Sequence, residues 1–339
     1  MKLSFIIPAY NASSTVVRTL DSIYSHSHKT DDFEVIVVDD CSTDDTLSIL
    51  RDYANTHSNM QVLHQEKNHR QGAARNRGLQ KAIGEYVMFV DSDDRVEIGV
   101  NEAIVYAMQK SVDILVCDYN WLTNGNLTRR QMPQKIEGKI FSSHEFLETL
   151  YDVVFNTCPI NYLWKRSFLQ KANHPFIEDR RMEDIDWIEK NIIEASSICY
   201  LSVPIYTVIG HPESTTHTTN VGTISDWLHF SHRRYDFAEL YKNMLPKFYK
   251  KVIDDNPRFV IRNTRLRMLS NFSSTQVYSI YQNIGKESLQ TLQRYSWPIQ
   301  ARLFINYPRL ELIIIAVLHP ISKISRIIVR KFRKLCKNF

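Results

Sequence analysis

Cysteine is sparse and unpatterned in this chain. Five residues (Cys41, Cys117, Cys158, Cys199 and Cys336) stand far apart, odd in number and without a C-x-x-C pair. That excludes a disulfide framework and a cysteine-built zinc site, and reads as reduced thiols of a cytosolic protein. Long apolar runs are missing too. The best stretch, residues 312–318, falls far below the roughly 20 residues that span a bilayer. The first apolar run, residues 3–7, is short and ends at Pro8, with polar Asn11 soon after. No credible cleavage region follows, so a secretory signal is not expected. No G-x-G-x-x-G follows that run, and no P-loop, G-x-S-x-G elbow or paired Cys/His spacing occurs anywhere. These absences argue against a dinucleotide oxidoreductase, a P-loop enzyme, a serine hydrolase of the elbow type and a zinc enzyme.

Acidic residues become rare toward the C-terminus. The formal net charge of +5 hides a split: residues 221–339 hold 21 Lys+Arg against 7 Asp+Glu, a charge of +14, leaving −9 for residues 1–220. An acidic body with a basic tail implies an anionic partner for the tail. Residues 321–339 contain no acid and seven Lys/Arg. There Ile321, Ile324, Ile328, Phe332 and Leu335 recur at spacings of three and four, and Pro320 precedes them. This pattern predicts a basic amphipathic helix suited to an anionic membrane surface. Its rivals are packing on the protein's own helices and nucleic-acid binding. The last is disfavoured because no exposed aromatics interleave with the basic stripe.

The apolar fraction of 43% and charged fraction of 23% fit a globular protein, and 339 residues suffice for two domains or for one with a large appendage. Over the first 120 residues, short β-branched runs at 3–7, 33–38, 62–63, 86–90 and 113–117 alternate with helical patterns near 13–24, 43–54, 71–82 and 98–110. Continuous apolar runs separated by helices predict buried parallel strands in βαβ units. Residues 121–140 read as a loop or hairpin. Helices are expected near 142–151, 167–172 and 182–195, an extended segment at 198–209, and long helical patterns beyond 222.

Two carboxylate clusters carry the candidate chemistry. Asp91-Ser92-Asp93-Asp94 follows the run Tyr86–Val90, and Glu183-Asp184 stands far downstream. A strand ending in Asp-x-Asp brings hard oxygen ligands to the edge of an open sheet, where a divalent cation and a diphosphate can meet. A distant carboxylate can then act as a base, an arrangement that fits group transfer from a nucleoside diphosphate.

Four segments in order resemble the inverting, GT-A-fold glycosyltransferases of family 2. They are Pro8-Ala9-Tyr10-Asn11, then Val38-Asp39-Asp40-Cys41-Ser42-Thr43-Asp44, then Asn68 to Gly78 with Ala74-Arg75-Asn76 at its centre, and Ala82 to Asp94 with Gly84-Glu85-Tyr86 before Asp91-Ser92-Asp93-Asp94. The likeness extends more loosely to about residue 218 and does not cover 220–339. It implies a GT-A-like (Rossmann-like) α/β fold: a mainly parallel, twisted sheet with helices on both faces, plus a helical C-terminal region. Residues 1–120 would form the nucleotide-sugar-binding half and 121–220 the acceptor-binding and catalytic-base half of one domain. Residues 221–339 would form the helical region ending in the basic helix.

The same resemblance, with the residue types, implies roles. Pro8, Tyr10 and Asn11 would hold the nucleoside, and Asp40 would accept the N3–H of a uracil ring. Arg70 and Arg75 would reach base or phosphate oxygens, with a structural salt bridge the alternative for Arg75. Asp91, with Ser92 beside it, would meet the ribose, and Asp93 would hold Mg2+ or Mn2+. Glu183-Asp184 resembles the family's Glu-Asp pair, with Asp184 the general base. Pro204-Ile205-Tyr206, His211 and Ser214 resemble its closing segment, in which His211 or His217 would touch diphosphate or metal. The expected activity is metal-dependent, inverting transfer from a nucleotide-sugar, with UDP the expected nucleotide, to a saccharide that can be lipid-linked. It would serve surface polysaccharide synthesis at the inner face of the cell membrane. A nucleotidyltransferase is disfavoured because residues 11–15 supply no Gly/Arg-rich loop, and an inactive scaffold because Asp40, Asp91, Asp93 and Asp184 are all present. One departure is Cys41, where relatives carry Gly; ordinary backbone angles or mild strain are expected there.

Overall fold

The computed structural model describes residues 1–26, 32–154, 158–210 and 221–260. One compact unit comprises Met1–His217 with Leu240–Tyr249, and a second comprises Thr218–Glu239 with Lys250–Phe339. The predicted basic helix at 321–339 lies outside the described residues.

In the first unit the chain alternates as the apolar runs require. β1 (Leu3–Ala9), α1 (Val16–His26), β2 (Phe33–Asp39), α2 (Thr46–Asn55), β3 (Met60–His64), α3 (Arg70–Lys81) and β4 (Tyr86–Phe89) follow one another. β3, β2, β1 and β4 are neighbours in that order and mutually parallel. Their carboxyl ends therefore share one edge. The remaining strands extend the sheet: β5 (Arg95–Val96), β6 (Ile114–Thr123), β7 (Asn126–Arg130), β8 (Ile140–Phe141), β9 (Tyr162–Lys165) and β10 (Ile198–Ile209). β9 runs antiparallel between β4 and β6, β6 and β10 are parallel, and β5 closes the path antiparallel to β10. The segment 121–140, expected as a loop or hairpin, begins as a hairpin: β6 and β7 pair across Asn124-Gly125, both at positive φ (51° and 78°), the backbone an Asn-Gly hairpin turn needs.

Side chains alternate between the sheet's faces. Leu3, Phe5, Ile7, Val35, Val37, Tyr86 and Met88 share a core with Val16, Leu20 and Ile23 of α1, Leu50 of α2, and Val100, Ala103 and Ala107 of α4 (Val100–Lys110). Ile6 and Phe89 point to the opposite face. There a Cβ on Gly78 of α3 would overlap Ile6, so the helix lies directly on β1. Phe89 contacts Phe176 and Trp187 edge-on, at 5.3 and 5.4 Å between ring centroids. Trp187 belongs to α7 (Glu183–Glu194), which follows α5 (Ser143–Val154) and α6 (Arg166–Ala172). It stacks on Phe176 at 4.2 Å and meets Trp164 of β9 at 4.7 Å. This buried aromatic cluster locks the start of α7 over the middle of the sheet. Of the second unit, the described residues 221–239 and 250–260 are helical, in α8 (Val221–Tyr241) and α9 (Pro246–Val260). No helix among the described residues is long and apolar enough to cross a membrane.

Candidate active site

The loops after β1 and β2 are laced together. Asn11, at φ 50°, donates its N–H to Ser42 Oγ, and its side-chain oxygen accepts the Thr43 N–H at 2.8 Å. Ala12 N–H donates to Thr46 Oγ1, and Asp44 accepts the Thr46 N–H, which settles the start of α2. Pro8 is buried in β1, while Tyr10 and Asn11 are exposed just past its end.

The two carboxylates after β2 divide their work. Asp39 is fully buried and accepts from His64 Nδ1 at 2.8 Å and from the Ser42 N–H, so it serves the turn. Asp40 is buried with one oxygen, Oδ1, held by Gln65 Nε2 at 2.6 Å and the His69 N–H at 2.8 Å. Burial pushes its carboxyl above the ordinary range, against those hydrogen bonds. Cys41 does not adopt ordinary angles. Its φ is 61°, in the left-handed region that its glycine counterpart would occupy without a Cβ penalty. Turn geometry outweighs side-chain preference here because Asp39 and Asp40 are pinned on one side and Ser42 on the other. Arg70 is also at positive φ (66°) and is exposed at the start of α3.

The Asp-x-Asp segment lies past the end of β4. Asp94 is buried and structural: its oxygens accept from Tyr206 Oη at 2.9 Å and the Ile209 N–H at 2.7 Å. Tyr206 Oη in turn accepts the Asp91 N–H at 3.0 Å, so β10 shapes the loop. Burial, then the charges of Asp91 and Asp93, push Asp94 up to about 8. Asp91, Ser92 and Asp93 are partly exposed.

Arg75 joins this loop to the second carboxylate cluster. Its guanidinium is 2% exposed and donates through Nη2 to Asp91 Oδ1 at 2.8 Å and through Nη1 to Glu183 Oε1. Burial opposes its charge, but Asp91 and Glu183 more than offset this and keep it protonated. The structure thus places Arg75 in a buried ion-pair bridge, the alternative set beside phosphate contact for this residue. Glu183 is buried and held by that bridge. Asp184, next in the chain, is half-buried, its Oδ1 accepting the Ile185 N–H at 3.0 Å. Burial and then the neighbouring Glu183 charge push Asp184 up to about 7. A carboxylate with that proton affinity takes a proton near neutrality.

His211, Ser214 and His217 lie outside the described residues. Among the described residues, no three His, Cys, Asp or Glu side chains are placed to hold a metal ion on their own. The donor set present is hard oxygen on an open edge, and Asp94 is pushed up partly by Asp91 and Asp93. Hard carboxylate oxygens of this kind, partly exposed at Asp91 and Asp93, fit a divalent cation such as Mg2+ or Mn2+.

The family model described as Glycosyl transferase family 2 matches residues 4–172, from the first strand through α6. The chain belongs to glycosyl transferase family 2. Similar proteins include the putative glycosyltransferase EpsH of Bacillus subtilis, 24% identical over 291 residues, which are 84% of this chain and 82% of that one. The poly(ribitol-phosphate) beta-N-acetylglucosaminyltransferase TarS of Staphylococcus aureus is 32% identical over 215 residues, 61% of this chain but only 35% of TarS. The crystal structure of S. aureus TarS 1-349 in complex with UDP-GlcNAc matches with a TM-score of 0.61 at 23% identity, over 93% of this chain and 89% of that one. The mannosyltransferase PcManGT of Pyrobaculum calidifontis, in complex with GDP-Man and Mn2+, matches with a TM-score of 0.53 at 18% identity, over 94% and 86%. These structural likenesses carry the GT-A fold. Family membership makes the chain a nucleotide-sugar glycosyltransferase.

The sequence alone assigns no role to Gln65, Asn76, Asp94, Trp187 or Tyr206. Asn76 and Asp94 lie within the motif segments, but the partners of Asn76 lie 100 residues away, a distance no local pattern reports.

Proposed function

We propose that this family 2 enzyme transfers a sugar from a UDP-sugar to an acceptor hydroxyl with inversion, Asp184 serving as base. The observation that carries this is the Arg75 bridge, which brings the Asp-x-Asp edge and the Glu183-Asp184 pair into one site. Asp184 takes the proton of the acceptor hydroxyl. The oxygen attacks the anomeric carbon from the side opposite the diphosphate, and the breaking C–O bond leaves its electrons on UDP. Asp40, with one oxygen fixed by Gln65 and His69, orients its carboxylate for the N3–H of uracil. Pro8, Tyr10, Asn11 and Arg70 border the nucleoside, and Asp91 with Ser92 the ribose. Asp93 would hold the divalent cation, which, when bound, supplies positive charge for the leaving diphosphate. TarS, crystallised with UDP-GlcNAc, supports UDP as the nucleotide, and the Mn2+ in PcManGT supports a metal.

The acceptor is proposed to be a growing cell-surface saccharide, lipid-linked and presented at the inner face of the membrane, where the basic 321–339 segment would bind anionic lipid. Two measurements test the reading. UDP with Mn2+ should raise the thermal midpoint, and a screen of nucleotide sugars should release UDP from at least one. Neither effect is expected of an inactive scaffold. Flotation with anionic vesicles at low salt tests the tail: full-length protein should float and a 1–308 form should not.

A further inference from the structure

The Ala74-Arg75-Asn76 motif sits on α3, a helix of the nucleotide half, yet its contacts run to the segment that leads into α7. We infer that Gly72, Arg75 and Asn76 act together as a bracket that sets the position of the catalytic-base pair against the donor edge, making Arg75 a positioning residue rather than a donor ligand. This rests on the proposed glycosyl-transfer reading of the site.

Three independent contacts carry it. Asn76 pairs both ways with the backbone of Phe176, donating to its carbonyl at 2.9 Å and accepting its N–H at 2.8 Å, and also donates to Glu178 at 3.0 Å. One turn earlier, a Cβ on Gly72 would overlap the Ile177 carbonyl and crowd Glu183 Cγ, so α3 touches that backbone directly. Between them, on the same face, Arg75 reaches over the Phe176 ring (5.5 Å) to grip Glu183 with one nitrogen and Asp91 with another. Positions 72, 75, 76 recur at the three- and four-residue spacing of one helical stripe.

The segment needs such ties. Asp179 and Met182 both hold positive φ, 60° and 64°, and Met182 immediately precedes Glu183-Asp184. Two left-handed non-glycine residues within four positions store strain that the surroundings must hold in place. Beyond the bracket, Asp179 is also tied to His69, through its N–H to the His69 carbonyl and its carboxylate to the His69 ring. Released from α3, the start of α7 would relax and Asp184 would move relative to the donor edge. Because Arg75 also fixes Asp91, a single guanidinium registers both reacting sides.

The test uses the full chain carrying Arg75→Lys. A lysine can satisfy one carboxylate but not span both as a fork does. Transfer kcat should fall about 10²-fold, the effect of a displacement near 1 Å, while the UDP Kd measured by calorimetry with Mn2+ rises by no more than about tenfold, through the loosened Asp91. Amide hydrogen exchange across residues 177–185 should accelerate. If Arg75→Lys does not fold, Asn76→Asp, outside the buried charge cluster, should show the same pattern with a loss of about tenfold. A Kd for UDP that rises in step with the loss of kcat would make Arg75 a donor ligand and overturn the bracket. So would unchanged kcat, or unchanged exchange across 177–185. If the unaltered protein releases UDP from no nucleotide sugar, the transfer reading fails, and the exchange comparison still decides the bracket.

Discussion

The raised proton affinity of Asp184 predicts that one substitution will cripple the enzyme and stabilise it. Burial and Glu183 lift this carboxyl from 3.8 to about 7. The folded state therefore binds the proton more tightly than the unfolded chain, and ionising Asp184 costs stability. That cost is absent below about pH 4, grows as pH rises, and levels off above about pH 7. A rise from 3.8 to about 7 corresponds to about 4 kcal/mol at most, and to roughly half that for a carboxylate that solvent still reaches. Asp184→Asn removes the charge at every pH while keeping the shape. In urea titrations it should be more stable than the parent by roughly 2 kcal/mol at pH 8 and equal to it at pH 4. The same variant should lose about 10²–10⁴-fold in transfer while still binding UDP, since an amide takes no proton. In the parent, kcat/KM should climb through pH 6 to 8, with only about a tenth of the base ionised at pH 6. A stability difference that is the same at pH 4 and pH 8, or that favours the parent at pH 8, would refute the electrostatic reasoning. If Glu183→Gln abolishes transfer and Asp184→Asn does not, the base is the other carboxylate.

Four further outcomes are expected. Asp93→Ala should abolish turnover with the fold intact, and a chelator should do the same to the parent; turnover indifferent to both would exclude a metal role for Asp93. Gly72→Ala must push apart α3 and the Ile177 backbone, so chemical denaturation should show a loss of about 1–3 kcal/mol accompanied by reduced kcat. Cys41→Gly should be neutral or stabilising by up to about 1 kcal/mol, because relief of the left-handed strain outweighs glycine's extra unfolded freedom, whereas Cys41→Val should destabilise. Tyr206→Phe leaves the Asp91 N–H without its acceptor and Asp94 short of a donor, and should cost about 1–3 kcal/mol in thermal or urea unfolding together with weaker UDP binding.

Much of the fold of the first 120 residues can be read from residue order alone. β1, β2, β4 and β6 stand where apolar, β-branched runs lie, and α1 to α4 where the pattern turns helical. Local periodicity suffices because each of these elements buries a face of its own. Parallel β1 to β4 then need only their order to bring Asn11, Asp40 and Asp91 to one edge, since every strand must end on the same side. The Asn-Gly turn of the β6–β7 hairpin is likewise a two-residue signal.

What tertiary structure decided is everything that depends on distant partners. β5 and β8 have two residues each, too short for any period, and β9 has no β-branched residue; they exist because β4, β6 and β10 offer unpaired edges. The left-handed backbone of Cys41 follows from the pinning of its neighbours, against the preference of its own side chain. Asp91, Asp93 and Asp94 look alike in sequence, and only the approach of Tyr206 and Ile209 makes Asp94 structural. Arg75 meets Glu183 across 108 residues. Which carboxylates a buried guanidinium neutralises is set by where folding carries them, because an ion pair depends on distance in space and leaves no trace in spacing along the chain.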